Sequence, residues 1–322
     1  MTSIRTAASQ RGVALITAVL IVALATILAV SVGFKGYLDQ RRTMTMLSLD
    51  QGYEIAHGAE AWAADILRRD AMGGSKVDDF TEEWAMPMPP IPVEGGEVSG
   101  GLEDMQGRFN LNSLVKFENG QLMKDPEAVA RFKILLDILE LEEKWADMIV
   151  DWIDTDIEAE FPDGAEDNVY TSLTPAYRPP NMRITRASEL LALHDFGIER
   201  FRKLEPFVTA LPAGARINLC TAAPEVLDAL LSGDREFTLA RDNVLEMRKQ
   251  RCYPSLRDFE GRLTPDQKRE LVDGEVIGES SNYFRANIWV TIGTTQFTLY
   301  SLLYRTSQSN LVSPILRSFG TA

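Results

Sequence analysis

The sequence predicts an α+β protein: a long N-terminal helix and an antiparallel sheet, with a large and mainly helical insertion between the strands. Three observations predict it. An uncharged apolar run, Val13–Phe34, leads into residues at helical spacing. Beyond Ser280 the hydropathy period drops to two. Between those strand signals and an earlier set near Glu94–Asn110 lies a helically patterned block of roughly 150 residues.

The apolar run comes first. A bilayer-crossing helix needs about 20 residues, which Val13–Phe34 supplies. A secretory signal has a shorter apolar core, about 7–15 residues, before a small-residue cleavage site. Ala29-Val30-Ser31 offers such a site, so composition leaves anchor and signal both open. A buried core helix fits less well, because no polar face interrupts the run. Arg5 and Arg11 favour a cytoplasmic N-terminus, but Lys35, Arg41 and Arg42 follow the run and weaken that bias. Further on, Leu49, Tyr53, Ala56, Ala59, Ala63 and Ile66 recur at steps of 3 or 4, predicting one helical face as far as about Arg69. A break at Gly33 or Gly36 would make that stretch a separate amphipathic helix.

Ala71–Gly74 ends the helix, and the prolines of Met86–Pro92 predict a loop. Glu94–Gly101 and Leu102–Asn110 alternate like short strands. Helices are predicted at Pro126–Leu141, Lys144–Ile153, Ala187–Leu193, Glu199–Phe207, Pro224–Leu231, Leu239–Lys249 and Ser255–Phe259. Tyr283–Val290 and Gln296–Tyr304 flank the turn Gly293-Thr-Thr as a hairpin.

Composition narrows the chemistry. The 322 residues hold 47 carboxylates against 33 basic residues, a formal net charge of −14 that repels nucleic acid. Two histidines, His57 and His194, and two cysteines out of zinc-ligand spacing build no His- or Cys-rich metal site. Cys220 and Cys252 can pair outside the cytosol, or stand as two buried thiols. The densest constellation is acidic. Asp151, Asp154, Asp156, Glu158, Glu160, Asp163, Glu166 and Asp167 come without a single basic residue among them. Such a cluster either stays solvated or shares a cation. Asp154-x-Asp156-x-Glu158 has the alternating oxygens of a calcium loop. It is no EF-hand, since Ala165 stands where the bidentate Glu belongs and no Gly occupies loop position six. Catalytic carboxylates are the weaker reading, because no nucleophile–histidine pair or phosphate loop accompanies them.

Arg11-Gly12 directly before Val13 resembles the leader boundary of type IV pilins and pseudopilins. That resemblance implies prepilin-peptidase cleavage between Gly12 and Val13, methylation of the new Val13 amine, and retention of the apolar helix. Most members carry Glu at the fifth mature position; here it is Thr17. Absence of that Glu is characteristic of the minor pseudopilin K family of type II secretion. Three further stretches are similar to that family: Asp104-x-x-Gly-Arg-Phe-Asn-Leu-Asn112, Asp151-Trp-Ile-Asp-x-Asp with Gly164-Ala-Glu-Asp-x-x-Tyr170, and Arg216–Leu231. The last also looks like the opening of a helix-hairpin-helix unit, but Leu231-Ser-Gly-Asp lacks its G-x-G. There Asn218 or Thr221 is expected to cap a helix, with Pro224 in its first turn.

The resemblance implies a pilin-like head with an inserted SAM-like helical domain: leader 1–12, membrane or fibre-core helix 13–34, first part of the head 35–112, insertion 113–280, and a closing hairpin 281–322. It implies Ca²⁺ held by Asp151, Asp154, Asp156, Glu166 and Asp167, with Glu158, Asp163 and Asn168 as further candidates. It implies a non-catalytic subunit, single-pass in the inner membrane with its bulk in the periplasm, at the tip of a pseudopilus. Minor pseudopilins I, J and H, major pseudopilin G, the prepilin peptidase, and the secretin or exported proteins would be its partners; nucleic acid would not. A type IV minor pilin or adhesin shares the leader boundary but not the insertion or the missing Glu.

Overall fold

The computed structural model describes residues 11–86, 88–306 and 310–320. The predicted leader therefore lies mostly outside the described residues, as does Pro87 of the predicted loop. Helix α1 runs unbroken from Arg11 to Met72, 62 residues. At about 1.5 Å per residue that is a rod of roughly 90 Å. Gly33 and Gly36 do not interrupt it. Every Val, Leu, Ile and Phe from Val13 to Phe34 is at least 57% exposed, which separates this segment from a soluble core helix. Among the described residues one helix is long and apolar enough to cross a membrane, with a mean hydropathy of 3.0 in its richest window.

In chain order the strands are β1 (Met88–Val93), β2 (Gly96–Asp104), β3 (Phe109–Asn110), β4 (Val115–Glu118), β5 (Gln121–Lys124), β6 (Val208–Thr209), β7 (Ile217–Asn218), β8 (Ile277–Gly278), β9 (Tyr283–Ile292), β10 (Thr295–Arg305) and β11 (Val312–Phe319). Five of them form an antiparallel sheet in the order β1-β2-β9-β10-β11. Phe284, Ala286, Ile288, Val290 and Ile292 alternate along β9, and with Leu299 and Leu303 of β10 they form one buried face. Ala56, Ala63, Ile66 and Leu67 of α1 cover that face. The β9–β10 turn is two residues long, with Gly293 at φ 57° in its first position, as a tight hairpin requires.

A second core gathers residues from Phe109 to Ile277. Its helices include α2 (Pro126–Ile138), capped by the Asp125 side chain on the Glu127 and Ala128 amides, and α3 (Lys144–Ile153). Shorter helices follow, among them Gly197–Leu204, Pro224–Leu230, Arg241–Arg248 and Leu256–Glu260. The α+β expectation and the helical block are met, while several local expectations are not.

Met86–Pro92 is not all loop. β1 takes Met88–Val93 into the sheet at its edge, where a register shift between Met88 and Ile91 accommodates the prolines. β2 stops at Asp104, short of the predicted strand end at Asn110. The closing hairpin has a third strand, β11, whose Pro314 sits beside a register shift opposite Leu302/Leu303. Leu49 and Tyr53, predicted on the packed face of α1, stand 40% and 41% exposed. Glu60 lies on that face instead, buried and paired with Arg317 of β11 at 2.7 and 2.8 Å.

Asn218 and Thr221 do not cap a helix either. The Asn218 amide donates to the Asp78 carbonyl, the Asp104 carboxylate and the Ser281 hydroxyl, each at 2.9 Å. Thr221 Oγ1 donates to Asp104 at 2.6 Å. Both side chains thus tie the helical region to the foot of the sheet, and helix Pro224–Leu230 starts after Ala223 without a side-chain cap. Cys220, between them, is bonded to Cys252. The stretch Asp104–Asn112 serves the same junction. Gly107 presses on the Thr221 carbonyl, 2.8 Å from where a Cβ would sit. Asn110 Oδ1 accepts from the Asn112 and Leu211 amides at 3.2 and 3.0 Å, and Asn112 Nδ2 reaches the Ile184 and Leu211 carbonyls.

Candidate metal centre

The acidic loop leaves the end of α3 at Asp154 and returns to the core at Ala165. Asp154, Asp156 and Glu166 each bring a carboxylate oxygen within 4.8 Å of the others. Ca²⁺ binds oxygen at about 2.3–2.6 Å, so oxygens on opposite sides of one ion lie about 4.6–5.2 Å apart. The spacing fits. Asp154 and Glu166 are buried, 2% and 3% exposed. Asp154 Oδ1 and both Glu166 oxygens have no hydrogen-bond partner. Unpaired buried carboxylates are costly, and a bound cation removes that cost.

The electrostatics agree. Burial, then the charges of Asp156, Asp151 and Glu166, push Asp154 up to about 8. Burial, then Asp151 and Asp156, push Glu166 up to about 7. Asp151 is fully buried and raised to about 6, chiefly by burial. Its carboxylate already accepts from the Glu160 amide at 3.1 and 3.2 Å, so it braces the loop from behind the trio.

The other predicted ligands sit elsewhere. Asp167 pairs with Arg178 at 3.4 Å. Glu158 and Asp163 are exposed, and Asn168 Oδ1 accepts from the Val169 amide next to it. Glu160 is claimed by Lys124 at 2.7 Å. Two other groupings among the described residues are already engaged. Asp70 and Asp78 pair with Arg305 while Glu82 accepts from Trp84 Nε1, and Cys220 and Cys252 are bonded to each other while Glu279 accepts from the Leu256 amide.

Gly164 closes the loop where no side chain fits. A Cβ there would collide with the Asp151 carboxylate and the Glu160 backbone. Gly164→Ala is expected to lower the melting temperature and to weaken calcium uptake in an isothermal titration, at a cost of about 1–3 kcal/mol. Unchanged uptake would show that the loop needs no such close approach.

The sequence reading passes over what lies behind this loop. The hairpin β4–β5 packs its last strand against Thr155 and Glu160. Its signal is present in the sequence: Asn119-Gly120, both at positive φ, between alternating residues.

A family model described as type II secretion system (T2SS), protein K, matches residues 107–213, the stretch that carries the acidic loop. The type II secretion system protein K of Pseudomonas aeruginosa is 34% identical over 306 residues, covering 92% of this chain and 89% of the relative. The chain belongs to the type II secretion system protein K family. The protein K of Pectobacterium carotovorum is 32% identical, with 97% of each chain covered. A chain of the crystal structure of the GspK-GspI-GspJ complex from enterotoxigenic Escherichia coli superposes with a TM-score of 0.76. The match covers 87% of this chain and 100% of that one at 23% identity, and shows the shared fold. That fold is the pilin-like α+β arrangement, and protein K is a minor pseudopilin of type II secretion.

Proposed function

We propose that this chain is the non-catalytic tip subunit of a type II secretion pseudopilus, joined to minor pseudopilins I and J and starting the fibre of pseudopilin G. The observation that carries the reading is the division of α1. Its second half is covered by the sheet, whereas Val13–Phe34 stands exposed among the described residues. A bare apolar rod under a large head has two natural surroundings, lipid before assembly and neighbouring rods after it. Cleavage after Gly12 and methylation of Val13 would free the rod on the cytoplasmic side of the inner membrane. Thr17 Oγ1 donates within its own helix, to the Ala14 carbonyl at 3.0 Å. A carboxylate at that depth would need a partner ahead of it in the fibre, which a terminal subunit lacks. The head, with H, the secretin or cargo as further contacts, would face outward.

In this reading Ca²⁺ binds Asp154, Asp156 and Glu166, and its task is structural. Deleting the gene is expected to leave exported proteins in the periplasm, read by fractionation and activity assay. Normal secretion from the deletion strain would sink the proposal. Replacing Asp154 and Asp156 by Ala separates the structural site from a catalytic one: a structural site loses thermal stability, an enzyme loses turnover with its fold intact.

A further inference from the structure

We infer that hairpin β4–β5 is the positioning element of the calcium loop, acting through Thr155; this rests on the calcium reading above. Asp154 leaves α3 in extended backbone, with φ −68° and ψ 172°. In extended chain, residues two apart share a side and the residue between faces the other way. Asp154 and Asp156 share the side of Glu166, and Thr155 points back at β5.

β5 grips it there on backbone and side chain. The Thr155 amide donates to the Leu122 carbonyl at 3.2 Å. The Leu122 amide donates to Thr155 Oγ1 at 3.2 Å, and that hydroxyl is 3.3 Å from the Leu122 carbonyl. Two residues along β5, Lys124 holds Glu160 at 2.7 Å and the buried Asp147 at 3.1 Å. The same Glu160 donates its amide to Asp151. One strand therefore fixes both limbs of the loop, and Leu122 is the buried anchor of that strand.

Fixing Thr155 fixes the two carboxylates beside it. The loop that must gather three like charges is held in shape by the Thr155 and Lys124 contacts, to which Asp156 adds one bond from the Glu158 amide at 2.8 Å. Such preorganisation belongs in metal affinity, because a freely moving Thr155 lets Asp154 and Asp156 part before the ion arrives. Thr155 is thus a positioning residue, not a ligand.

The test uses the full-length protein in detergent, stripped of metal, with Ca²⁺ alone as the probe. Thr155→Val keeps shape and the backbone bond but removes the hydroxyl. It is expected to raise the calcium Kd about five- to tenfold, the size of one or two hydrogen bonds, and to lower the melting temperature of the calcium-saturated protein by more than that of the stripped protein. Thr155→Ser, which restores the hydroxyl, is expected to return the Kd to within about twofold of the parent. A Thr155→Val protein that binds calcium like the parent overturns the positioning role and leaves the site standing. Equal loss of stability with and without calcium also overturns it, since a purely structural contact behaves so. A parent protein that takes up no Ca²⁺ at millimolar concentration removes the calcium reading and this role together.

Discussion

Calcium-stripped protein at pH 8 is expected to melt about 10 °C below calcium-saturated protein. The estimate follows from a ligand at about 1,000 times its Kd, worth roughly 4 kcal/mol, spread over a chain in which each kcal/mol moves the midpoint by about 2–4 °C. The pH dependence gives this prediction its signature. Without metal, Asp154 and Glu166 hold protons up to about 8 and about 7. The unfolded chain releases the same protons near pH 4. Between those limits the folded state binds more protons, so stripped protein loses stability as pH rises from about 5 to 8. Calcium needs the deprotonated carboxylates, so its contribution grows over the same interval. Melting curves at pH 5.5 and 8, stripped and saturated, are expected to diverge toward the alkaline end. Asp154→Asn supplies the converse. It removes the repelled charge, and is expected to raise the melting temperature of stripped protein while abolishing the response to calcium. Coincident curves for parent protein at pH 8 would end the case for a bound ion.

Arg305→Ala is the second large effect. Arg305 is 8% exposed at the end of β10. It donates to Asp70 at the end of α1 at 2.8 Å, to both Asp78 oxygens at 2.5 and 2.7 Å, and to the Ser281 carbonyl at 2.7 Å. Its guanidinium also lies 5.1 Å from the Phe284 ring. Removing one partner of a buried ion pair leaves the other charge stranded, at a cost of about 3–5 kcal/mol. Chemical denaturation is expected to report that loss. Acid should return part of it. Burial and Asp78 already hold Asp70 above its usual range, so its folded form protonates before the unfolded chain does. The deficit of the variant is therefore expected to shrink as pH falls from 7 toward 4. A variant within 1 kcal/mol of the parent would show that water reaches this group freely.

Long-range pattern was legible in the sequence, and local exceptions were not. The helix Lys144–Ile153 and the final hairpin follow from apolar periodicity alone, and the two parts of the 62-residue helix from an apolar run and a helical face, with their continuity past Gly33 and Gly36 left open. Asp154, Asp156 and Glu166 were visible as members of an acidic cluster that either stays solvated or shares a cation. What failed depended on tertiary partners. Proline reads as a strand breaker, yet β1 and β11 place it at edges and register shifts, where no ladder bond is lost. Asn218 and Thr221 read as caps because their side chains suit one. Asp104, more than a hundred positions earlier, takes them instead. Of eight candidate ligands, seven are carboxylates of the same two types whether or not they join the trio, and Asp156 within it is as exposed as Glu158 and Asp163 outside it by class. Only the return of the chain at Glu166 separates them.

The neighbour relation of β2 and β9 sets an order on folding. Asp104 pairs with Phe284 and Gly96 with Ile292, so the sheet closes only after the whole helical region has been synthesised. Contacts that distant form late and slowly. Until then Ala56, Ile66 and Leu67 on α1 have no cover, and β2 shows an open edge. The helical core from Phe109 to Ile277 is already complete in sequence at that stage and can fold ahead of the sheet. Each newly made chain thus passes through a stage with a finished helical core beside an adhesive, half-built sheet. The last forty or so residues of the chain end that vulnerable interval.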